Sequence, residues 1–170
     1  MKESVSAMNF VENLLKNDFK YLYKKRKPNI NTLHLIFVMD SKTHNLQMCL
    51  EFRDKWIDIL SFISPTILNH DNDSYLETLK TINYINWNIK SWGRLYVDDF
   101  GDIAYSLRIN YDILNSIPQE SIKEIEATVD YYSDLFIPLL DVSQGKKSFD
   151  ETKLFINDMW GGIRWYGYRI

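Results

Sequence analysis

The sequence predicts an α+β domain: an antiparallel sheet of about five strands, a three-strand meander plus a hairpin, with helices packed on one face. Its expected order is α-β-β-β-α-β-β-α, followed by a C-terminal appendage. Three observations predict it. Apolar residues recur every three or four positions over residues 5–19, and the period switches to two over residues 33–63. A second alternating pair then brackets a glycine-bearing turn ahead of a long amphipathic stretch. Helices gathered on one face of an antiparallel sheet bury the apolar sides of both layers at once. Residues 1–145 are read as this domain, and residues 146–170 as a short helix with an aromatic-rich tail.

Val5, Met8, Val11, Leu15 and Phe19 make the first helical stripe; Lys20 to Lys27 follow, and Pro28-Asn29 ends the element. Leu33, Leu35, Phe37 and Met39 then alternate with His34, Ile36, Val38 and Asp40. Leu46, Met48, Leu50 and Phe52 alternate with Gln47, Cys49, Glu51 and Arg53, and Ile57, Ile59 and Ile63 share one side of a third run. Directly paired residues share a face, so the register can be tested against the pattern. A two-residue Asp54-Lys55 turn pairs Phe52 with Ile57, Leu50 with Ile59 and Leu46 with Ile63. Pairing Met39 with Leu46 sets Phe37 against Met48 and Leu35 against Leu50. Both registers give the same core face.

The opposite face is less polar than a solvated one should be. It carries Ile36, Val38, Cys49, Trp56, Leu60 and Phe62 beside His34, Glu51, Arg53 and Asp58. Either another part of the chain covers it, or a partner or second subunit does.

Ser74 and Glu77 read as a capping box opening a second helix that holds Leu76, Leu79, Ile82 and Ile85; Asn83, Asn86 and Asn88 crowd its end in structural roles. In the hairpin, a three-residue Asp99-Phe100-Gly101 loop pairs Val97 with Ile103 and Leu95 with Tyr105, and places Gly101 at the left-handed position such a loop needs. Ser116 with Gln119 is expected to cap the last long helix, which carries Ile122, Ile125, Val129, Tyr132, Phe136 and Leu139. Pro138 should kink or end it. A connector at 144–147 leads to a short helix from about Phe149 to Trp160 and then to the tail.

The 170 residues are 45% apolar and 25% charged with a net charge of −3, which excludes a disordered chain and argues against a general binder of nucleic acid or anionic membrane. No stretch approaches the ~18 apolar residues of a membrane span, and the N-terminus lacks the apolar core of a secretory signal, so a soluble cytoplasmic protein is expected. One cysteine, Cys49, excludes an internal disulfide and reads as a packed strand residue. No phosphate-binding glycine loop, nucleophile elbow or His-Glu-x-x-His motif is present, and His34, His44 and His70 lack metal-ligand spacing. Catalytic residues, a metal and cofactors are therefore not expected. Asp98, Asp99 and Asp102 form the densest carboxylate cluster; it reads as an Asp turn bonding its own backbone, or else as a cation site. Acidic residues on the last helix, Glu120 to Asp134, read as its solvated face, although a paired acid and base among them stays open. Lys24-Lys25-Arg26-Lys27 is a solvated strand or turn, or a contact for an acidic partner. Trp160, Trp165, Tyr166 and Tyr168 either dock on the domain as a flap or form an interface.

From the second helix to the start of the last one the sequence resembles the YbjN family. The residues are Leu79-Lys-Thr-Ile-Asn83-Tyr-Ile-Asn86, then Gly93-Arg-Leu-Tyr-Val-Asp-Asp-Phe-Gly101-Asp-Ile-Ala-Tyr-Ser-Leu107, then Ile117-Pro-Gln-Glu-Ser-Ile. The pattern is a helix ending in Asn, a strand and Asp-x-x-Gly hairpin, and a capped long helix, with element order matching over roughly 5–145; the Trp-rich tail lies outside it. The resemblance implies the α+β fold of type III secretion chaperones and a dimeric chaperone-like or adaptor module holding an extended peptide or helix. It supplies no catalytic residues.

The leading expectation is therefore a non-enzymatic module that binds a protein or peptide, as a homodimer, through Ile36, Val38, Trp56, Leu60, Phe62, Trp165, Tyr166 and Tyr168. A toxin-neutralising or defence-system binding protein is the alternative in the same class. A small metal-dependent enzyme using the Asp98/Asp99/Asp102 turn is the alternative in another class.

Overall fold

The computed structural model describes residues 2–18, 21–25, 32–37, 46–67 and 73–161; within the strands, 21–25, His34, Ile36, Phe37 and 62–67 are described as backbone only. The elements are α1 (Lys2–Asp18), β1 (Tyr21–Lys25), β2 (Thr32–Phe37), β3 (Leu46–Phe52), β4 (Trp56–Ile67), α2 (Asp73–Asn88), β5 (Arg94–Val97), β6 (Asp102–Asn110), α3 (Tyr111–Ser116), α4 (Pro118–Ser143) and α5 (Phe149–Gly161). The strands form one antiparallel sheet in the order β1-β2-β3-β4-β6-β5. The α+β class and the predicted order hold, with two additions: β1, at the start of the basic run, and the short helix α3. Among the described residues no helix is long and apolar enough to cross a membrane.

The β3–β4 register is the expected one, with Phe52 opposite Ile57 and Leu50 opposite Ile59, closed by Arg53 N–H on the Trp56 carbonyl at 2.9 Å. β2 is displaced by two residues: Phe37 faces Leu46 and Leu35 faces Met48. A shift of two leaves every side chain on its predicted face, because the side-chain period is two. It lengthens the connection to 38–45, outside the described residues. The β5–β6 hairpin pairs Val97 with Ile103 and Leu95 with Tyr105 around Gly101, whose φ is 84°. In β4 the register slips between Phe62 and Ile67, the stretch holding Pro65, which has no N–H to give the ladder.

The core lies between one sheet face and the helices. Leu33, Leu35, Leu46, Met48, Leu50, Ile57, Ile59, Leu107 and Ile109 are almost wholly buried, against Val11 and Leu15 of α1 and Ile122, Ile125, Leu135, Phe136 and Leu139 of α4. Val5 is exposed, so the buried stripe of α1 begins at Ser4 instead. α2 also turns differently from its apolar pattern. Its buried residues are Ser74, Thr78, Thr81, Ile82 and Ile85, while Leu76 is 59% exposed. Hydroxyls can occupy a helix–helix seam when they bond their own backbone. Here Thr78 Oγ1 donates to the Ser74 carbonyl at 2.8 Å and Thr81 Oγ1 to the Glu77 carbonyl at 2.9 Å.

The expected caps are redistributed. Ser74 Oγ donates to the Ser143 carbonyl at 2.8 Å, and Glu77 takes the Phe149 N–H at 2.8 Å and Lys80 Nζ at 2.7 Å, so this pair joins the ends of α2, α4 and α5. Ser116 closes α3, and α4 opens at Pro118 with no side-chain cap. The described capping box stands at α5: Ser148 Oγ and N–H both donate to Glu151 Oε2, at 2.8 and 2.9 Å, and Glu151 N–H returns to Ser148 Oγ at 3.4 Å. α4 runs five residues past the buried Pro138. It ends in a Schellman turn on Gly145 (φ 68°), with Lys146 N–H on the Asp141 carbonyl and Gly145 N–H on that of Val142.

Candidate functional site

The helices collect on one side of the sheet, which leaves the other side to the alternate residues of each strand. Those residues are half-buried or exposed: Gln47, Cys49 and Glu51 on β3, Trp56, Asp58 and Leu60 on β4, Ser106, Arg108 and Asn110 on β6. Two residues are exceptions: Ala104, fully buried in the row with Tyr96, and Thr32, buried opposite Glu51.

Near the β3–β4 turn this outer face is a charge lattice built on one carboxylate. Asp58 sits between Glu51 and Arg108 in register. Its Oδ1 accepts Arg108 Nε at 2.7 Å, and its Oδ2 accepts the Trp56 indole N–H at 3.1 Å and lies 3.4 Å from Arg53 Nε. Arg53 also pairs with Glu51 at 2.7 Å, and the Arg108 guanidinium lies over the Trp56 ring, 4.7 Å from its centroid. An arginine stacked on an indole while bonded to a carboxylate fixes both partners. Trp56 is thus held between Asp58 and Arg108 and is half-buried. The next row, Cys49–Leu60–Ser106, carries no charge at its centre and runs out to Arg94 on β5.

Of the residues assigned to partner binding, Trp56 and Leu60 lie on this face. Ile36 and Phe62 are described as backbone only, each in register with Gln47. Val38, Trp165, Tyr166 and Tyr168 lie outside the described residues, as do His44 and His70. The register sets His34 opposite Cys49. The basic run begins as β1, whose Lys24 and Lys25 stand opposite His34 and Leu33; Arg26 and Lys27 are outside the described residues.

Asp98 does the work of a turn. Its Oδ1 accepts the N–H groups of Phe100 and Asp102, both at 2.9 Å, and its carbonyl accepts Gly101 N–H at 3.0 Å. Burial, with Asp98 nearby, holds the Asp102 carboxyl above its ordinary range. No group of three His, Cys, Asp or Glu side chains among the described residues is placed to hold a metal.

Two features were not visible in the sequence. A cavity of about 10 Å³ between the sheet and α4, lined by Ser61, Thr128 and Tyr131, has room for a single water, and Ser61 Oγ has no protein partner there. On the helical side, α2 and α5 form an open groove of about 270 Å³ lined by Lys80, Asn83, Tyr84, Trp87 and Phe149. Trp87 is 88% exposed, the most exposed large apolar side chain described. The helical spacing of Lys80, Asn83 and Trp87, at i, i+3 and i+7, was the available signal.

No family model matches the chain, and neither a curated protein nor a solved structure does.

Proposed function

We propose that this chain is a non-catalytic protein-binding module of the chaperone or adaptor kind, homodimeric through the outer face of its sheet. The observation that carries the proposal is the one-sided distribution of the helices, which leaves Trp56, Leu60 and Cys49 half-buried on a six-stranded face that no helix among the described residues covers. A two-fold interface must complement itself. Equal numbers of acidic and basic groups beside Leu60, Glu51 and Asp58 with Arg53 and Arg108, support that reading in charge. The element order is also the one that the resemblance to the YbjN family implies.

Mass by light scattering tests it. Wild type is expected at twice the chain mass, and Leu60→Asp, which replaces an apolar side chain of the face by a charge in both copies, should weaken the dimer at least about thirtyfold with unchanged circular dichroism. A monomeric wild type, or a Leu60→Asp dimer as tight as wild type, overturns this reading.

A further inference from the structure

The groove between α2 and α5 leaves a tryptophan in water. Trp87 is 88% exposed beside the Tyr84 and Phe149 rings, which meet edge to face at 6.2 Å. Burial of a tryptophan is among the largest apolar gains a side chain offers. The two helices run in the same direction. Glu77 takes the N–H of Phe149, the first residue of α5, and Tyr84, two turns on, donates its hydroxyl to Asn157, two turns into α5. One further turn brings α2 to Trp87 and Asn88 and α5 to Gly161, so the chain leaves α5 beside the turn that carries Trp87. There the Trp160 indole N–H is buried with no acceptor among the described residues, and a buried donor calls for one.

The two helices carry an excess of acid. Asp73, Glu77, Asp150, Glu151 and Asp158 stand against Lys80 and Lys153. Glu77 is matched by Lys80 at 2.7 Å, Glu151 is engaged by its Ser148 cap, and Lys153 rests over the Tyr84 and Phe149 rings at 5.2 and 5.7 Å. Asp150 and Asp158 have no partner among the described residues. Unpaired carboxylates beside aromatic rings complement a segment that is basic and aromatic. Residues 162–170, which follow α5 directly, read Gly-Ile-Arg-Trp-Tyr-Gly-Tyr-Arg-Ile, with two arginines, three aromatic rings and no acid. Those nine residues can span up to about 30 Å and the thirteen of α5 about 20 Å, so the segment is long enough to run back along the whole helix. Gly161-Gly162 at the junction permits the reversal. Covalent attachment adds an effective concentration of about millimolar, which no separate peptide has. The outer sheet face offers no such excess, because Glu51 and Asp58 meet Arg53 and Arg108 there, with Arg94 further along.

We infer that residues 162–170 of the chain turn back along α5 and occupy the α2/α5 groove, with an aromatic ring against Trp87, arginines on Asp158 and Asp150, and a backbone carbonyl on the Trp160 indole. This goes beyond the binding-module reading and does not rest on it. It assigns the tail to the helical side of the sheet, which leaves the outer face to a second copy.

Trypsin on the full chain tests it, because a seated segment is cut only when it opens and the rate follows the open population. Cleavage after Arg164, followed by mass, should be about tenfold faster or more in Trp87→Ala and several-fold faster in Asp150→Asn/Asp158→Asn. It should be unchanged in Leu60→Asp. The substituted positions are exposed or half-buried, so the variants should fold, which circular dichroism checks. Equal rates in wild type and Trp87→Ala overturn the inference. Acceleration in Leu60→Asp alone also overturns it and assigns the segment to the sheet face. A short bismaleimide on Cys49→Ser/Asn83→Cys/Tyr166→Cys tells one copy from two. The two cysteines are expected to be joined within one chain, at monomer mass. A covalent dimer overturns the inference in favour of a second copy's tail, and absence of any cross-link overturns it outright. Neither readout requires the sheet-face dimer, so this inference and that reading fail separately.

Discussion

Ser91 shows how single side chains lock this fold. Its Oγ donates to Glu124 Oε2 at 2.6 Å and accepts both the Tyr105 hydroxyl and Gly93 N–H, while Trp92 N–H reaches the same carboxylate at 2.9 Å. Gly93 must be glycine, because a Cβ there would collide with the Tyr105 ring and lie 2.8 Å from the Ser106 carbonyl. The Tyr105 phenol inside this network is pushed up to about 12, mainly by burial and further by Glu124. Burial also raises Tyr132 to about 12, and burial with Glu3 and Asp54 nearby raises Tyr111 to about 12. An unfolded phenol loses its proton near pH 10. Between pH 10 and 12 the unfolded chain therefore holds fewer protons than the native one, and stability falls as pH rises. The contribution is complete below pH 10 and gone above 12. The urea midpoint should be level up to about pH 9.5 and then drop steeply, and Tyr105→Phe should make the drop shallower while costing about 1 kcal/mol at neutral pH for the lost hydrogen bond. A midpoint unchanged to pH 11.5 would contradict this.

At the scale of elements, β5 survives as a four-residue edge strand because a helix serves its open side. Asn86 Nδ2 donates to the Leu95 carbonyl and Asn86 Oδ1 accepts Leu95 N–H, both at 2.9 Å, so one amide replaces a neighbouring strand. Asn86→Ala should cost about 1–3 kcal/mol, since it strands both groups. Amide exchange at Leu95 should accelerate well ahead of that at Leu107; protection equal to wild type at Leu95 would show that the amide is dispensable. This bond was legible only as an Asn near a helix end, and the limits of the sequence elsewhere have similar causes. Alternation revealed the sheet face and three registers correctly to within an even shift, because a wrong parity would expose the core. α2 was found, with Ile82 and Ile85 buried, but its seam also holds Ser74, Thr78 and Thr81, which a search for apolar periodicity passes over. Ser-x-x-Glu/Gln recurs at 74, 116 and 148, and only the last forms a box among the described bonds; at Glu77 a neighbouring helix end competes for the carboxylate. The α2/α5 groove joins residues more than sixty positions apart, so the spacing of Lys80, Asn83 and Trp87 marks its α2 wall and nothing local marks Phe149 opposite.

At the scale of the molecule, the two edges of the sheet are managed by different means. The β5 edge is filled by Asn86, whereas β1 has β2 as its one sheet neighbour among the described residues and carries Lys24 and Lys25 within its five positions. An open strand edge is a template for pairing with another chain, and lysine on the edge is a common defence, since two such edges brought within 5 Å would oppose like charges. As residues of an edge strand, Lys24 and Lys25 have a physical purpose that needs no anionic ligand. The dimer proposed for the sheet face leaves that edge free, so edge-to-edge growth would build on dimers and appear as masses above twice the chain. Lys24→Thr/Lys25→Thr keeps strand-forming residues and removes the repulsion. It should yield mass that climbs with concentration in light scattering, while wild type holds steady. High salt shortens the screening length to about 3 Å at 1 M and should move wild type part of the way toward the variant. A double variant with the same mass as wild type at every concentration would mean that something other than charge protects the β1 edge, and the basic run would then be free for an acidic partner.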